Sequence, residues 1–152
     1  MIRAVLLAAA LALSGPVSTG AGEDAQGCLA RTVYWEARGQ PEAGRLAVAH
    51  VVLNRARSRA FPGSVCGVVR QGGEAPPCQF NWRCDGRPDA PRDAAAWRRA
   101  QEIALRALSG AEADPSRGAT LFHRRGVSPG WARPSWRTAE IGDHLFYRAP
   151  GH

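Results

Sequence analysis

Residues 25–57 read AQGCLARTVYWEARGQPEAGRLAVAHVVLNRAR, with Asp24 immediately before them. Asp24 is a suitable N-cap, and Cys28, Leu29, Thr32, Val33 and Glu36 then fall near one face, so the spacing predicts a helix to about Arg38. Gly39 stops it, and Pro41 suits the first turn of a second helix. Leu46, Ala49, Val52, Leu53 and Ala56 keep a helical period to about Arg57. Two helices joined by a short turn must cover each other's apolar faces, so this stretch sets a helical core.

Working outward, Ser64 caps a short turn of helix through Val65, Val68 and Val69. Residues 71–90 are rich in Gly, Pro, Cys and Asp and read as irregular, apart from a short strand over Cys78–Asn81. A third long helix is expected from about Pro91 to Leu108, with Asp89 as its cap and Ala95, Ile103, Ala104 and Leu108 facing inward. Trp97, at helical spacing, is assigned to the core. Strands are expected over Ala119–His123 and Ile141–Arg148, with a polar loop from Arg124 to Arg137 between them. The fold class is therefore α+β and helix-dominated: one domain with three main helices and a few short strands.

Upstream, Met1-Ile2-Arg3 precedes a charge-free run from Ala4 to Leu13, broken by Ser14-Gly15-Pro16. This is the pattern of a secretory signal peptide, with cleavage expected after Ala21. The run is too short for a bilayer, which needs about 20 residues. Residues 1–21 are read as the leader and 22–152 as the catalytic domain, exported to the periplasm or beyond, without a membrane anchor after cleavage and monomeric. In an oxidising compartment, Cys28, Cys66, Cys78 and Cys84 are expected to form two disulfides. Of the three possible pairings, Cys78–Cys84 with Cys28–Cys66 is favoured: a short loop closure, and a tie from the first helix to a later loop. No C-x-x-C occurs, so zinc is not expected, nor any other metal or cofactor.

All 20 basic side chains are Arg, against 13 acids, giving a net charge of +7. The absence of Lys excludes chemistry that needs a Lys nucleophile or a P-loop Lys. The arginines are dispersed, and export disfavours a nucleic acid partner. No His-Glu-x-x-His or Gly-x-Ser-x-Gly occurs, and no cysteine is left as a nucleophile.

Glu36 stands in the last helical turn, where unpaired carbonyls disfavour a negative charge. Tyr34 and Trp35 beside it add desolvation, and both effects raise a carboxyl pKa. Arg38, if paired with it, would oppose them. A carboxylic acid that keeps its proton near neutrality is what general-acid cleavage of a glycosidic bond needs. Among the other acids, Glu74, Asp85 and Asp89 lie in the loop-rich middle, and no motif places any of them as a partner. Trp82, Trp131 and Trp136 fall in expected loops, and Phe80 begins one, where aromatic faces could meet sugar rings; core packing is the competing reading for each.

Tyr34-Trp35-Glu36-Ala37-Arg38-Gly39, then Gly44-x-x-Ala47-Val48-Ala49-x-Val51-Val52-Leu53-Asn54-Arg55, resembles the opening of the SleB/CwlJ-type cell wall hydrolases. The resemblance continues through Phe61-Pro62, Val65-Cys66-x-Val68-Val69, Cys78-Gln79-Phe80 and Gly118-Ala119-Thr120-Leu121-Phe122-His123. It closes with Trp131 and Ile141-Gly142-x-His144-x-Phe146-Tyr147, and Asn81 departs from the Ser or Thr that often follows Gln-Phe. It implies a lysozyme-like fold, peptidoglycan glycan strands as substrate, cleavage between MurNAc and GlcNAc, and Glu36 as the catalytic acid/base. Tyr34, Gln79, Phe80, Trp82, His123 and Trp131 are the expected substrate-binding residues. A single carboxylate suits a lytic transglycosylase that forms 1,6-anhydro-muramyl ends. The alternatives are a muramidase using a second carboxylate and a catalytically silent peptidoglycan-binding module.

Overall fold

The computed structural model describes residues 23–152; the expected leader, residues 1–21, lies outside them. Four α-helices run in chain order: α1 (Ala25–Ala37), α2 (Glu42–Arg57), the short α3 (Val65–Val69) and α4 (Ala94–Ser109). A three-stranded antiparallel sheet follows, from β1 (Leu121–Arg124), β2 (Arg137–Ile141) and β3 (His144–Tyr147), in the order β1-β3-β2. The class is the expected one, a helix-dominated α+β domain.

Local chemistry sets the helix ends. Asp24 accepts a hydrogen bond from the Gly27 amide and Ser64 from that of Gly67, each satisfying an otherwise orphaned N–H. The cap of α4 is Asp93, which accepts from Ala96, rather than Asp89. The Asp89 carbonyl instead accepts from Trp35 Nε1 and Arg31 Nη1, tying the loop before α4 to α1. Gly110 ends α4 in the left-handed region at φ 70°. The inward face of α4 is Ala96, Ala100, Ile103, Ala104 and Ala107, so the expected face was turned by about one residue: Ala95 is only half-buried and Leu108 is exposed. These small residues let α4 lie close against α1, whose Leu29, Ala30 and Val33 are fully buried. Trp97 is half-buried there, edge-on to Tyr34.

Two expectations for strands are corrected. Cys78–Asn81 is not a strand: its one cross-segment backbone hydrogen bond, from the Gln79 amide to the Gln71 carbonyl, builds no ladder, and the chain tightens into a 3-10 turn over Asn81–Arg83. The run Ile141–Arg148 is a strand over His144–Tyr147, which is β3, but not throughout: Ile141 ends β2, and Gly142-Asp143 form the turn between the two. Gly142 takes φ 57°, and a Cβ there would run into Gln40 Oε1 and stand 2.9 Å from Pro41 Cδ. Gln40 clamps the same turn, its Oε1 accepting from the Asp143 amide and its Nε2 donating to Asp143 Oδ2. The sheet is thereby fastened to the α1–α2 junction, next to the end of α1 that carries Glu36. Both disulfides form as expected, Cys28–Cys66 and Cys78–Cys84. No helix among the described residues is long and apolar enough to cross a membrane.

Candidate active site

Glu36 opens from the last turn of α1 into a pocket of about 250 Å³. The opposite walls are Gln79, Phe80 and Asn81 from the disulfide loop, and Phe122, His123 and Arg124 from β1. Arg55 of α2 and His144 of β3 complete it. Four elements distant in sequence therefore converge on one carboxyl.

Glu36 is half-buried at the surface but closely surrounded, and burial raises its carboxyl pKa to about 7. Arg124 and Arg55 restrain the rise. Arg38, which would do so if paired with Glu36, instead donates to the Tyr34 hydroxyl and lies over the Tyr34 and Trp35 rings. Among the described residues no hydrogen bond or ion pair engages the Glu36 carboxyl, which leaves it available to a ligand.

Arg55 is only 3% exposed. Its Nε donates to the Thr120 carbonyl at 2.6 Å, and its guanidinium lies 5.2 Å from the Phe61 ring centre and 5.5 Å from that of Phe80. Burial lowers its pKa to about 10, and the Glu36 charge opposes that fall. Its Nη1 is buried without a partner among the described residues. His144 is likewise buried, its Nδ1 unpartnered and its ring edge-on to Phe122. Burial, helped by the Arg124 charge, pushes its pKa down to about 4, so the imidazole is neutral in ordinary buffers.

His123 Nδ1 lies 2.8 Å from the Arg124 carbonyl and Nε2 2.9 Å from the Tyr147 hydroxyl. A carbonyl can only accept, so the neutral ring carries its proton on Nδ1 and Nε2 accepts from Tyr147. The His123 ring also stacks on Tyr147, and Trp131, 37% exposed, stands edge-on to both. The result is an aromatic ledge at the rim of the pocket.

The structure thus brings Glu36, Gln79, Phe80 and His123 together, with Trp131 on the adjoining ledge. Tyr34 and Trp82 are elsewhere. Tyr34 is 1% exposed, and its hydroxyl accepts from the Arg92 and Asp93 amides as well as from Arg38, so it is a core residue joining α1 to α4. Trp82 is 8% exposed and packed in the helical core. An expected loop made it look available; the 3-10 turn folds it inward. Arg55, Asn81, Phe122, Arg124 and His144 were not among the expected site residues. Arg55 did carry a signal: it follows Val48, Val51 and Val52 at i+7, i+4 and i+3, a charge on the buried face of α2. None of the acids Glu74, Asp85 and Asp89 reaches this pocket; Glu74 and Asp89 line a different one, and Asp85 accepts from the Arg87 amide. No cluster of three or more His, Cys, Asp or Glu that could hold a metal occurs among the described residues.

Among solved structures, the catalytic domain of the Bacillus cereus SleB protein aligns over 89% of this chain and 99% of its own, with a TM-score of 0.67 and 29% identity. The catalytic domain of the germination-specific lytic transglycosylase SleB from Bacillus anthracis aligns over 87% and 100%, with a TM-score of 0.66 and 29% identity. The domain is lysozyme-like, as these neighbours are. Among curated proteins, the spore cortex-lytic enzyme of Halalkalibacterium halodurans is 38% identical over 121 residues, 78% of this chain and 33% of the relative. That of Bacillus subtilis is 37% identical over 78% of this chain and 35% of the relative. The chain therefore spans about a third of the length of these relatives. Residues 39–147 match the Cell Wall Hydrolase family, and with the shared fold this makes the chain a member of that family.

Proposed function

We propose that the chain cleaves the glycan strands of peptidoglycan between MurNAc and GlcNAc as a lytic transglycosylase, with Glu36 as its one acid/base. The observation that carries this reading is that, among the described residues, Glu36 is the only carboxylate lining its pocket. Hydrolysis by paired carboxylates needs a second one roughly 5–9.5 Å away. Transglycosylation needs only a group that gives up a proton and takes one back, and a carboxyl with a pKa near 7 can do both at neutral pH.

Glu36 protonates the glycosidic oxygen as the bond from muramyl C1 breaks, and GlcNAc leaves with its 4-hydroxyl restored. The Glu36 carboxylate then takes the proton of the muramyl 6-hydroxyl as O6 bonds to C1. The 1,6-anhydro ring closes, Glu36 is protonated again, and no water is consumed. Gln79 and Asn81 offer amides to sugar hydroxyls, and the Trp131–His123–Tyr147 ledge offers a face to a sugar ring. That one structural neighbour, the SleB domain of Bacillus anthracis, is a germination-specific lytic transglycosylase supports this reading. An exported monomer fits this reading, and its arginine surplus would draw it to an anionic wall.

The test is digestion of purified sacculi by the wild type and by Glu36→Gln, with the products weighed by mass spectrometry. Transglycosylation predicts muropeptides lighter by one water than hydrolytic products, and no products from the folded variant. Hydrated reducing ends would favour the muramidase instead. An active Glu36→Gln protein would remove Glu36 from the mechanism. Retention of the wild type on sacculi without cleavage would make the chain a binding module.

A further inference from the structure

Among the described residues that bury a polar side-chain atom without a partner, two line the Glu36 pocket: Arg55, with its Nη1, and His144, with its Nδ1. They are 3% and 1% exposed. Burying such an atom unpaired is costly, most of all on a charged group. Both side chains are also held in place. Arg55 Nε is tied to the Thr120 carbonyl, and the Phe61 and Phe80 rings lie beside its guanidinium. His144 sits on β3, the central strand, edge-on to Phe122 at 5.2 Å and to Phe146 at 6.1 Å between ring centres. Arg55 makes no ion pair among the described residues, so its Nη1 is not spent on Glu36.

The two atoms are chemically complementary. A guanidinium only donates. The His144 imidazole is neutral in ordinary buffers, and with its proton on Nε2 it accepts at Nδ1. The pocket thus offers a fixed donor from α2 and a fixed acceptor from β3. A secondary amide presents the matching pair on separate atoms: a carbonyl that accepts and an N–H that donates. A hydroxyl would have to serve both through one oxygen. On the muramyl sugar the amide stands on C2, next to the C1 at which Glu36 acts. A sugar whose C1 oxygen reaches Glu36 therefore brings its acetamido group into the same pocket.

Resting on the glycan-cleaving function proposed above, we propose that Arg55 and His144 are substrate-binding residues that recognise the muramyl 2-acetamido group. Arg55 Nη1 donates to its carbonyl, and its N–H donates to His144 Nδ1. The sugar is then fixed by its amide while C1 exchanges one oxygen for another, and a glycan that lacks this amide is a poor ligand.

The test measures, by calorimetry, the binding of two stem-free glycan tetramers to the Glu36→Gln protein, so that no turnover intervenes. One tetramer carries the muramyl 2-acetamido groups; the other is 2-deoxy at its muramyl sugars. Three changes are added to that parent. His144→Phe keeps an aromatic ring against Phe122 but removes the acceptor. Arg55→Lys keeps the charge but replaces the fork by one ammonium. Arg70→Gln, an exposed arginine outside the pocket, is the control. The parent is expected to bind the acetamido tetramer about thirtyfold more tightly, the effect of one neutral and one charge-assisted hydrogen bond. His144→Phe and Arg55→Lys should each cut that preference about fivefold or more, and Arg70→Gln should keep it. If Arg55→Lys does not fold, His144→Phe decides alone. A parent without preference, a folded variant of either residue that keeps it, or equal weakening of both tetramers would overturn the subsite. Wild-type digestion of sacculi separates this from the function it rests on. Cleavage without a tetramer preference removes the subsite alone. A preference that His144→Phe abolishes, without any cleavage by the wild type, keeps the amide subsite and removes the glycan-cleaving function.

Discussion

Glu36 must hold a proton at the pH where it acts, lose it to the leaving sugar and regain it. Burial does the first by holding its pKa near 7. Arg124 and Arg55 do the second by stabilising the carboxylate formed midway. Because the protonated form starts the reaction, kcat/KM should fall as pH rises through about 7. Arg124 is exposed, so Arg124→Gln should fold normally while removing the first of the two restraining charges. The Glu36 pKa then rises, and the basic limb of the pH–rate profile should move upward by roughly half a unit to one unit. Arg70→Gln, an exposed arginine outside this pocket, should leave the limb in place. A limb that does not move in Arg124→Gln would show that Arg124 does not act on Glu36. The direction of the Glu36 shift was legible in Tyr34-Trp35-Glu36 at a helix end. The restraining charges were not, because Arg38 is near in sequence whereas Arg55 and Arg124 are near only in space.

At the scale of elements, the two disulfides do different work. Cys28–Cys66 joins α1 to α3 across a separation of 38 residues, inside the helical core. Cys78–Cys84 closes a loop of separation 6 that carries Gln79, Phe80 and Asn81 into the Glu36 pocket. Loop-closure entropy assigns about 4 kcal/mol to the first and about 2 kcal/mol to the second. Cys28→Ser/Cys66→Ser should therefore lower Tm more than Cys78→Ser/Cys84→Ser does, whereas the latter should show the larger loss of kcat/KM at a temperature where both are folded. Equal activity losses would mean that the short loop does not shape the pocket. The Cys78–Cys84 closure, the helices and the caps Asp24 and Ser64 were legible because they depend on local spacing and side-chain chemistry, and Cys28–Cys66 followed as the pair that remained. The β2–β3 turn was not: Gly142-Asp143 is its local signal, but the turn is held by Gln40, about a hundred residues earlier. Trp82 was misplaced for a similar reason, since only the folded 3-10 turn shows which way its ring faces.

Across the whole molecule, two groups beside the same pocket link folding to pH in opposite directions. Glu36 has a folded pKa of about 7, above its unfolded value of 4.5, so the native state binds more protons between these limits. Its contribution to stability is present below about 4.5 and is lost as pH rises through 7. His144 has a folded pKa of about 4, below 6.5, so the unfolded state binds more protons there. Its contribution is present above 6.5 and is lost as pH falls toward 4. Between about 4.5 and 6.5 the two slopes largely cancel, and the wild type should have a nearly flat Tm. Glu36→Gln removes one slope and unmasks the other. Its Tm should match the wild type near pH 4 and exceed it by several degrees at pH 8, the effect of on the order of 1–3 kcal/mol once the partial exposure of Glu36 is discounted. Thermal unfolding of both proteins from pH 4 to 8 measures this directly. A Tm difference independent of pH would show that the pocket does not raise the Glu36 pKa. A difference that grows with pH would mean that the acid proposed for catalysis destabilises the fold at the pH where it is half ionised, a cost kept because the site needs the proton.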